Sequence, residues 1–159
     1  MNMAGPASLD QAAGSFERLF QTFEGEWQLE KFMSDGSLFN GTATFERAAD
    51  NCLSLTETGV LTLPGAKLQA GRAWDWFLRE RCSLEIRYPH AHGGGPYHLL
   101  TPVRLCDGWG AAGWAGSATH LCGADAYFAS YSFSEDAILI DHAVKGPKKD
   151  YRIEARMRR

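Results

Sequence analysis

Ala118-Thr-His-Leu-Cys122, Gly123-Ala124, Asp125-Ala-Tyr-Phe-Ala-Ser-Tyr-Ser-Phe133, Ser134-Glu-Asp136, Ala137-Ile-Leu-Ile-Asp-His-Ala-Val144: the period of this stretch decides the fold. Ile138, Ile140, His142 and Val144 share one parity, and only the histidine is polar, so they form the inward face of a strand. Gly123-Ala124 is a two-residue connection of the hairpin kind, which pairs His120 with Tyr127 and Cys122 with Asp125. The turn at Glu135-Asp136 likewise pairs Ala129 with His142. A one-residue slip would turn the apolar face outward, so register and face are specified together. A histidine opposite an alanine leaves room. Two histidines and a tyrosine brought together that way need polar partners, which points to a cavity.

The same period runs outward from this stretch. Downstream, Gly146-Pro147 turns the chain into Tyr151, Ile153, Ala155 and Met157, alternating with Arg152, Glu154, Arg156 and Arg158. Upstream, Leu53 to Leu61 and Leu68 to Leu78 flank a Leu63-Pro64-Gly65-Ala66 turn. Centring it on Pro64-Gly65 sets Glu57 opposite Arg72, both inward with Trp74 and Trp76, and predicts an ion pair. Trp27 to Met33 and Phe39 to Phe45 form an earlier hairpin, whose loop centred on Gly36 would place Lys31 opposite Gly41. Cys82 to Tyr88 and Tyr97 to Val103, the latter carrying His98, read as further strands. A loop with His90 and His92 separates them, and two histidines without a third ligand do not make a metal site. Glycines, Trp109 and Trp114 between Asp107 and Gly116 read as a long turn or irregular rim. Ahead of all strands, Phe16, Leu19, Phe20 and Phe23 keep helical spacing, and Ser8 with Gln11 has capping-box spacing.

About ten short strands joined by hairpins, with no helix between them, predict an all-β fold. The expected architecture is a closed up-and-down antiparallel barrel, since closure removes sheet edges, with the short N-terminal helix plugging one end. Residues 1–14 are expected to be a flexible segment and 15–159 a single domain. The 159 residues are 45% hydrophobic, yet no apolar run has the length of a membrane span. The net charge of -3 argues against a nucleic-acid partner despite a basic C-terminal strand. The first residues show no secretory leader, so the cytoplasm is the expected location. The four cysteines form no Cys-x-x-Cys pair and read as free thiols.

Gly25-Glu26-Trp27 after a short helix, with arginines on the last strand, is similar to the lipocalin and wider calycin pattern. That resemblance implies an Arg of the final strand, Arg156 or Arg158, covering Trp27 at the closed end. A longer set of motifs comprises Trp27-x-Leu29-x-Lys31, Thr56-Glu57-x-Gly59, Tyr97-His98, His120-x-Cys122-x-x-Asp125-x-Tyr127 and Gly146-Pro-x-Lys149-Asp150-Tyr151. Together these resemble a calycin-like bacterial and fungal family catalogued only as a domain of unknown function, from Phe16 onward. Lys31 and Met157 depart from it, standing where Arg and Tyr are expected. The resemblance implies a calycin-like fold and no established activity.

The favoured functional reading is binding of a small, partly apolar molecule, an anion among the candidates, inside the barrel. Its expected site residues are His120, Tyr127, His142, Arg72, Glu57, Lys31, Trp74, Trp76, Tyr131 and His98: apolar walls with sparse polar anchors. No catalytic residue and no metal ligand is assigned. Two alternatives stand beside it. One is an enzyme using His120 and Tyr127 as an acid–base pair; the carboxylate of Asp125 beside Cys122 disfavours a cysteine nucleophile. The other is a haem-binding barrel with His142 or His120 as axial ligand. The identity of any cofactor is left open, as is a homodimer.

Overall fold

The structure, a computed structural model, describes residues 16–105 and 113–159. The segment 1–14, the capping-box pair Ser8 and Gln11, and Cys106 and Trp109 lie outside the described residues. A helix, α1 (16–21), is followed by eleven strands: β1 (Gly25–Met33), β2 (Leu38–Ala49), β3 (Cys52–Leu63), β4 (Ala66–Leu78), β5 (Leu84–Arg87), β6 (Pro96–Leu100), β7 (Val103–Leu105), β8 (Gly113–Cys122), β9 (Asp125–Phe133), β10 (Ala137–Gly146) and β11 (Lys149–Arg158). They form one antiparallel sheet of order β6-β5-β4-β3-β2-β1-β11-β10-β9-β8-β7, curled into a half-barrel. Among the described residues no helix is long and apolar enough to cross a membrane.

Trp114, expected in the long turn before Ala118, is instead a buried residue of β8, and the strand expected from Tyr97 to Val103 is split. Pro102 has no N–H for a ladder, and the chain changes partner there. β6 pairs with β5, β7 pairs with β8, and β6 itself packs against β8. The two ends of the sheet are therefore consecutive pieces of chain.

The hairpin registers centred on Pro64-Gly65, Gly123-Ala124 and Glu135-Asp136 are those the sequence predicts: Glu57 opposite Arg72, His120 opposite Tyr127, Ala129 opposite His142. Gly123, at φ 60°, occupies the first loop position that a type II′ turn reserves for a positive φ. The first hairpin is corrected. Lys31 faces Phe39, and Gly41 faces Leu29, because the turn centres on Asp35 and not on Gly36. Gly41 is also paired with Gly59 on β3. A Cβ on Gly41 would stand 2.0 Å from the Thr58 carbonyl oxygen, and one on Gly59 2.3 Å from that of Asn40. Only glycine allows the backbones to approach this closely.

α1 has fewer residues than an isolated helix needs. Its stability comes from burying Phe16 and Phe20, with Phe23 just beyond its end, each worth roughly 2 to 3 kcal/mol of apolar transfer. Phe16 meets Trp114 and Phe133 edge-on, and Phe23 contacts Trp27, Phe45, Trp76 and Phe133. The Trp27 indole N–H donates to the Phe23 carbonyl at 2.8 Å, tying the helix exit to β1. The cation over Trp27 is Arg159, 4.5 Å from the ring centroid, and not Arg156 or Arg158. Arg158 is exposed, and Arg156 turns to Glu154 and Phe32, because β11 alternates and its even positions face away from Trp27.

Candidate functional site

At the other end of the sheet the inward side chains do not fill the space. They line a cavity of about 510 Å³, within the usual range for a small-molecule site. Of the ten expected site residues, Lys31, Glu57, Arg72, Trp74, Trp76, His120, Tyr127, Tyr131 and His142 line it. His98 stands one layer behind: it is 1% exposed and bonds the Tyr131 hydroxyl through Nδ1. Its ring stacks 6.0 Å from that of His142.

The predicted Glu57–Arg72 ion pair is absent although the two residues are directly opposite. Glu57 is 5% exposed and pairs with the Lys31 ammonium instead. Lys31 reaches it diagonally across the Gly41–Gly59 pair, where no side chain obstructs the inner face. Arg72 is exposed at the rim, where its guanidinium lies 5.4 Å from the Trp74 ring centroid. Among the described residues it has no carboxylate partner.

Opposite His120, the Tyr127 hydroxyl accepts a hydrogen bond from the Lys149 ammonium at 2.8 Å, and Lys149 also pairs with Asp125 at 2.8 Å. These two acceptors hold the Lys149 pKa above its ordinary value. Gly146 completes the arrangement, because a Cβ there would stand 1.9 Å from the Asp125 carboxylate. The Asp-x-Tyr and Gly-Pro-x-Lys motifs thus meet as a latch between the β8–β9 and β10–β11 hairpins. Cys122, opposite Asp125, is an exposed free thiol on the same cavity wall.

Two of the imidazoles, those of His142 and His98, are kept neutral. Burial lowers the pKa of His142 to about 4, helped by the charges of Lys31 and Arg72. Burial and the neighbouring His142 do the same to His98, also to about 4. Desolvation raises the Tyr131, Tyr97 and Tyr88 hydroxyls above their ordinary value, so they remain proton donors. Among the described residues neither His142 nor His120 hydrogen-bonds to the protein. The Trp76 indole nitrogen and His98 Nε2 are buried without partners as well.

Tyr97 is the residue that alternation misses. Ile86 pairs with His98 but Arg87 with Pro96, so β6 carries one extra residue at Tyr97. Such a bulge re-aims a side chain. The consecutive Tyr97 and His98 rings come within 4.0 Å of each other, and Tyr97 contacts Trp74 at 4.9 Å and His120 at 5.2 Å. The glycines before Pro96 are a sequence signal for that irregularity. Tyr88 and Tyr151 also line the cavity; each heads an inward face and follows from parity alone.

A model of the family of unknown function DUF6314 matches residues 23–159. The chain belongs to that family. The matched span includes every cavity-lining residue. No curated protein matches the chain. Among solved structures it is similar to the S-type phycobiliprotein lyase CPES from Guillardia theta, with 9% identity, 97% of this chain and 98% of that one covered, and a TM-score of 0.53. It is also similar to EF1p2_mFAP2b bound to DFHBI, with 10% identity, coverage of 91% and 98%, and a TM-score of 0.51. At these identities the likeness is one of fold.

Proposed function

We propose that the curled sheet is a closed, calycin-like barrel, plugged at one end by α1, that binds a small, partly apolar molecule in the cavity at its other end. Closure is supported by the segment 96–105, which pairs with β5 before Pro102 and with β8 after it. The plug is supported by the burial of Phe16, Phe20 and Phe23. The observation that carries the binding reading is that His142 and His120 line a cavity of about 510 Å³ without a hydrogen bond to the protein. Both imidazoles are half-buried, and their nitrogens are free to donate to and accept from whatever occupies the space. Walls of Trp74, Trp76, Tyr97 and Ile140 supply apolar and ring surface for the rest of the molecule. The similar structures are consistent with this use, one being of EF1p2_mFAP2b bound to DFHBI.

The acid–base reading of His120 and Tyr127 has less support, because the Tyr127 hydroxyl is engaged by Lys149. Anilinonaphthalene sulfonate, a compact aromatic anion, serves as a probe. Wild-type protein is expected to bind one equivalent saturably, and Ile153→Trp, which fills the cavity wall, to abolish binding with an unchanged far-UV circular dichroism spectrum. Absence of saturable binding to the folded wild type would refute the reading.

A further inference from the structure

The polar groups of the cavity are not equivalent, and their difference specifies a ligand. Arg72 lies at the exposed rim, on the Trp74 ring, with no carboxylate partner among the described residues. The other cavity cation, Lys31, is neutralised by Glu57. A planar guanidinium left free on an aromatic face suits a carboxylate, which it can engage with two parallel hydrogen bonds.

Deeper, the available polar group changes type. On β10 the inward residues pass from Ile140 to His142, and the imidazole is half-buried with no hydrogen bond to the protein. A neutral imidazole offers one donor and one acceptor, the complement of a hydroxyl. A second carboxylate there would meet an acceptor as well as a donor, and would lose its hydration on entering the cavity. Between rim and interior the wall is dominated by rings, those of Trp74, Tyr88, Tyr97 and Tyr127 among them. Flat rings favour a flat body, through offset and edge-on contacts that an aliphatic chain does not make.

We propose that the cavity selects a planar aromatic acid bearing a hydroxyl remote from its carboxylate, with Arg72 taking the carboxylate and His142 the hydroxyl. This inference rests on the ligand-binding reading and adds the class and the orientation of the ligand. His142 is then a determinant of specificity, and its neutral form is the one that pairs.

The test is calorimetric titration of the full chain near neutral pH with four probes of one size. They are a hydroxynaphthoic acid with its two groups on opposite rings, naphthoic acid, naphthol, and a naphthalene dicarboxylic acid with its carboxylates on opposite rings. The hydroxy acid is expected to bind about tenfold tighter than naphthoic acid or naphthol, and tighter than the diacid. Arg72→Gln should bring its affinity down to that of naphthol, and His142→Phe to that of naphthoic acid. Circular dichroism establishes that both variants are folded. The proposal is overturned if the diacid binds as tightly as the hydroxy acid, or if either variant weakens all four probes equally. It is also overturned if anilinonaphthalene sulfonate binds and none of the four does, in which case the cavity is still a binding site for another class. If the sulfonate fails as well, the ligand-binding reading falls with it.

Discussion

The inward positions of the same strands change character part-way along. β9 passes from Phe133 and Tyr131, each 2% exposed, through Ala129 to Tyr127; β4 passes from Leu78 and Trp76 to Trp74 and Arg72. β1 goes from Trp27 and Leu29 to Lys31, and β8 from Trp114 to His120 and Cys122. One end is an aromatic core that buries Phe16, Phe20 and Phe23, and the other is a cavity in which, among the described residues, His120, His142 and Arg72 make no hydrogen bond to the protein. In the reading proposed above, the first end supplies stability and the second the binding site. A strand that alternates regularly can serve both, because alternation decides which side chains point inward and not how much space they fill.

The largest expected effect separates the two ends. Phe133→Ala should cost ~3–5 kcal/mol of unfolding free energy, because it opens a void among Phe16, Phe23 and Trp76. Ile153→Ala, on a wall that already faces space, should cost about 1 kcal/mol. Denaturant titration of the two variants makes the comparison, and equal losses would break it.

Next in size is the interior charge pair. Lys31→Met leaves Glu57 buried and unpaired and should cost ~3 kcal/mol, while Arg72→Met should cost less than about 1 kcal/mol. The opposite order in the same denaturant assay would restore the pairing expected from register alone.

The register of the second hairpin was legible and its ion pair was not, for a physical reason. Parity places Glu57 and Arg72 on one face, but the Gly41–Gly59 pair, without side chains, leaves a diagonal path open for Lys31, and the exposed position of Arg72 gives its guanidinium water and an indole. The histidine-bearing hairpins were legible because Gly123-Ala124 and Glu135-Asp136 fix their turns. Tyr97 escaped because a bulge breaks the period of two on which the whole reading depends. Arg159, past the end of β11, reaches Trp27 where alternation could not place it.

A smaller effect follows from the neutral imidazoles. His98 and His142 are held near pKa 4 in the folded state, against 6.5 ordinarily. The unfolded chain therefore binds more protons between those values. Their contribution to stability is fully present above pH 6.5 and is lost as pH falls toward 4. Around the middle of that window about two protons are taken up on unfolding, a slope of roughly 2 to 3 kcal/mol per pH unit. His142→Phe should remove about half of that slope, measured from denaturant midpoints across the window. An unchanged slope would mean that His142 titrates normally. Smallest of all, Arg159→Ala removes the cation over Trp27 and should cost ~0.5–1 kcal/mol, seen as a small drop in Tm.

The division of the molecule into two ends is tested most directly by the indole N–H resonances of ¹⁵N-labelled protein titrated with anilinonaphthalene sulfonate. Trp74 and Trp76 line the cavity, whereas Trp27 is bonded to Phe23 and Trp114 is packed against Phe16. The expected result is saturable shifts of the Trp74 and Trp76 signals with those of Trp27 and Trp114 unmoved. Shifts confined to Trp27 and Trp114 would place the binding surface at the aromatic end and contradict the account.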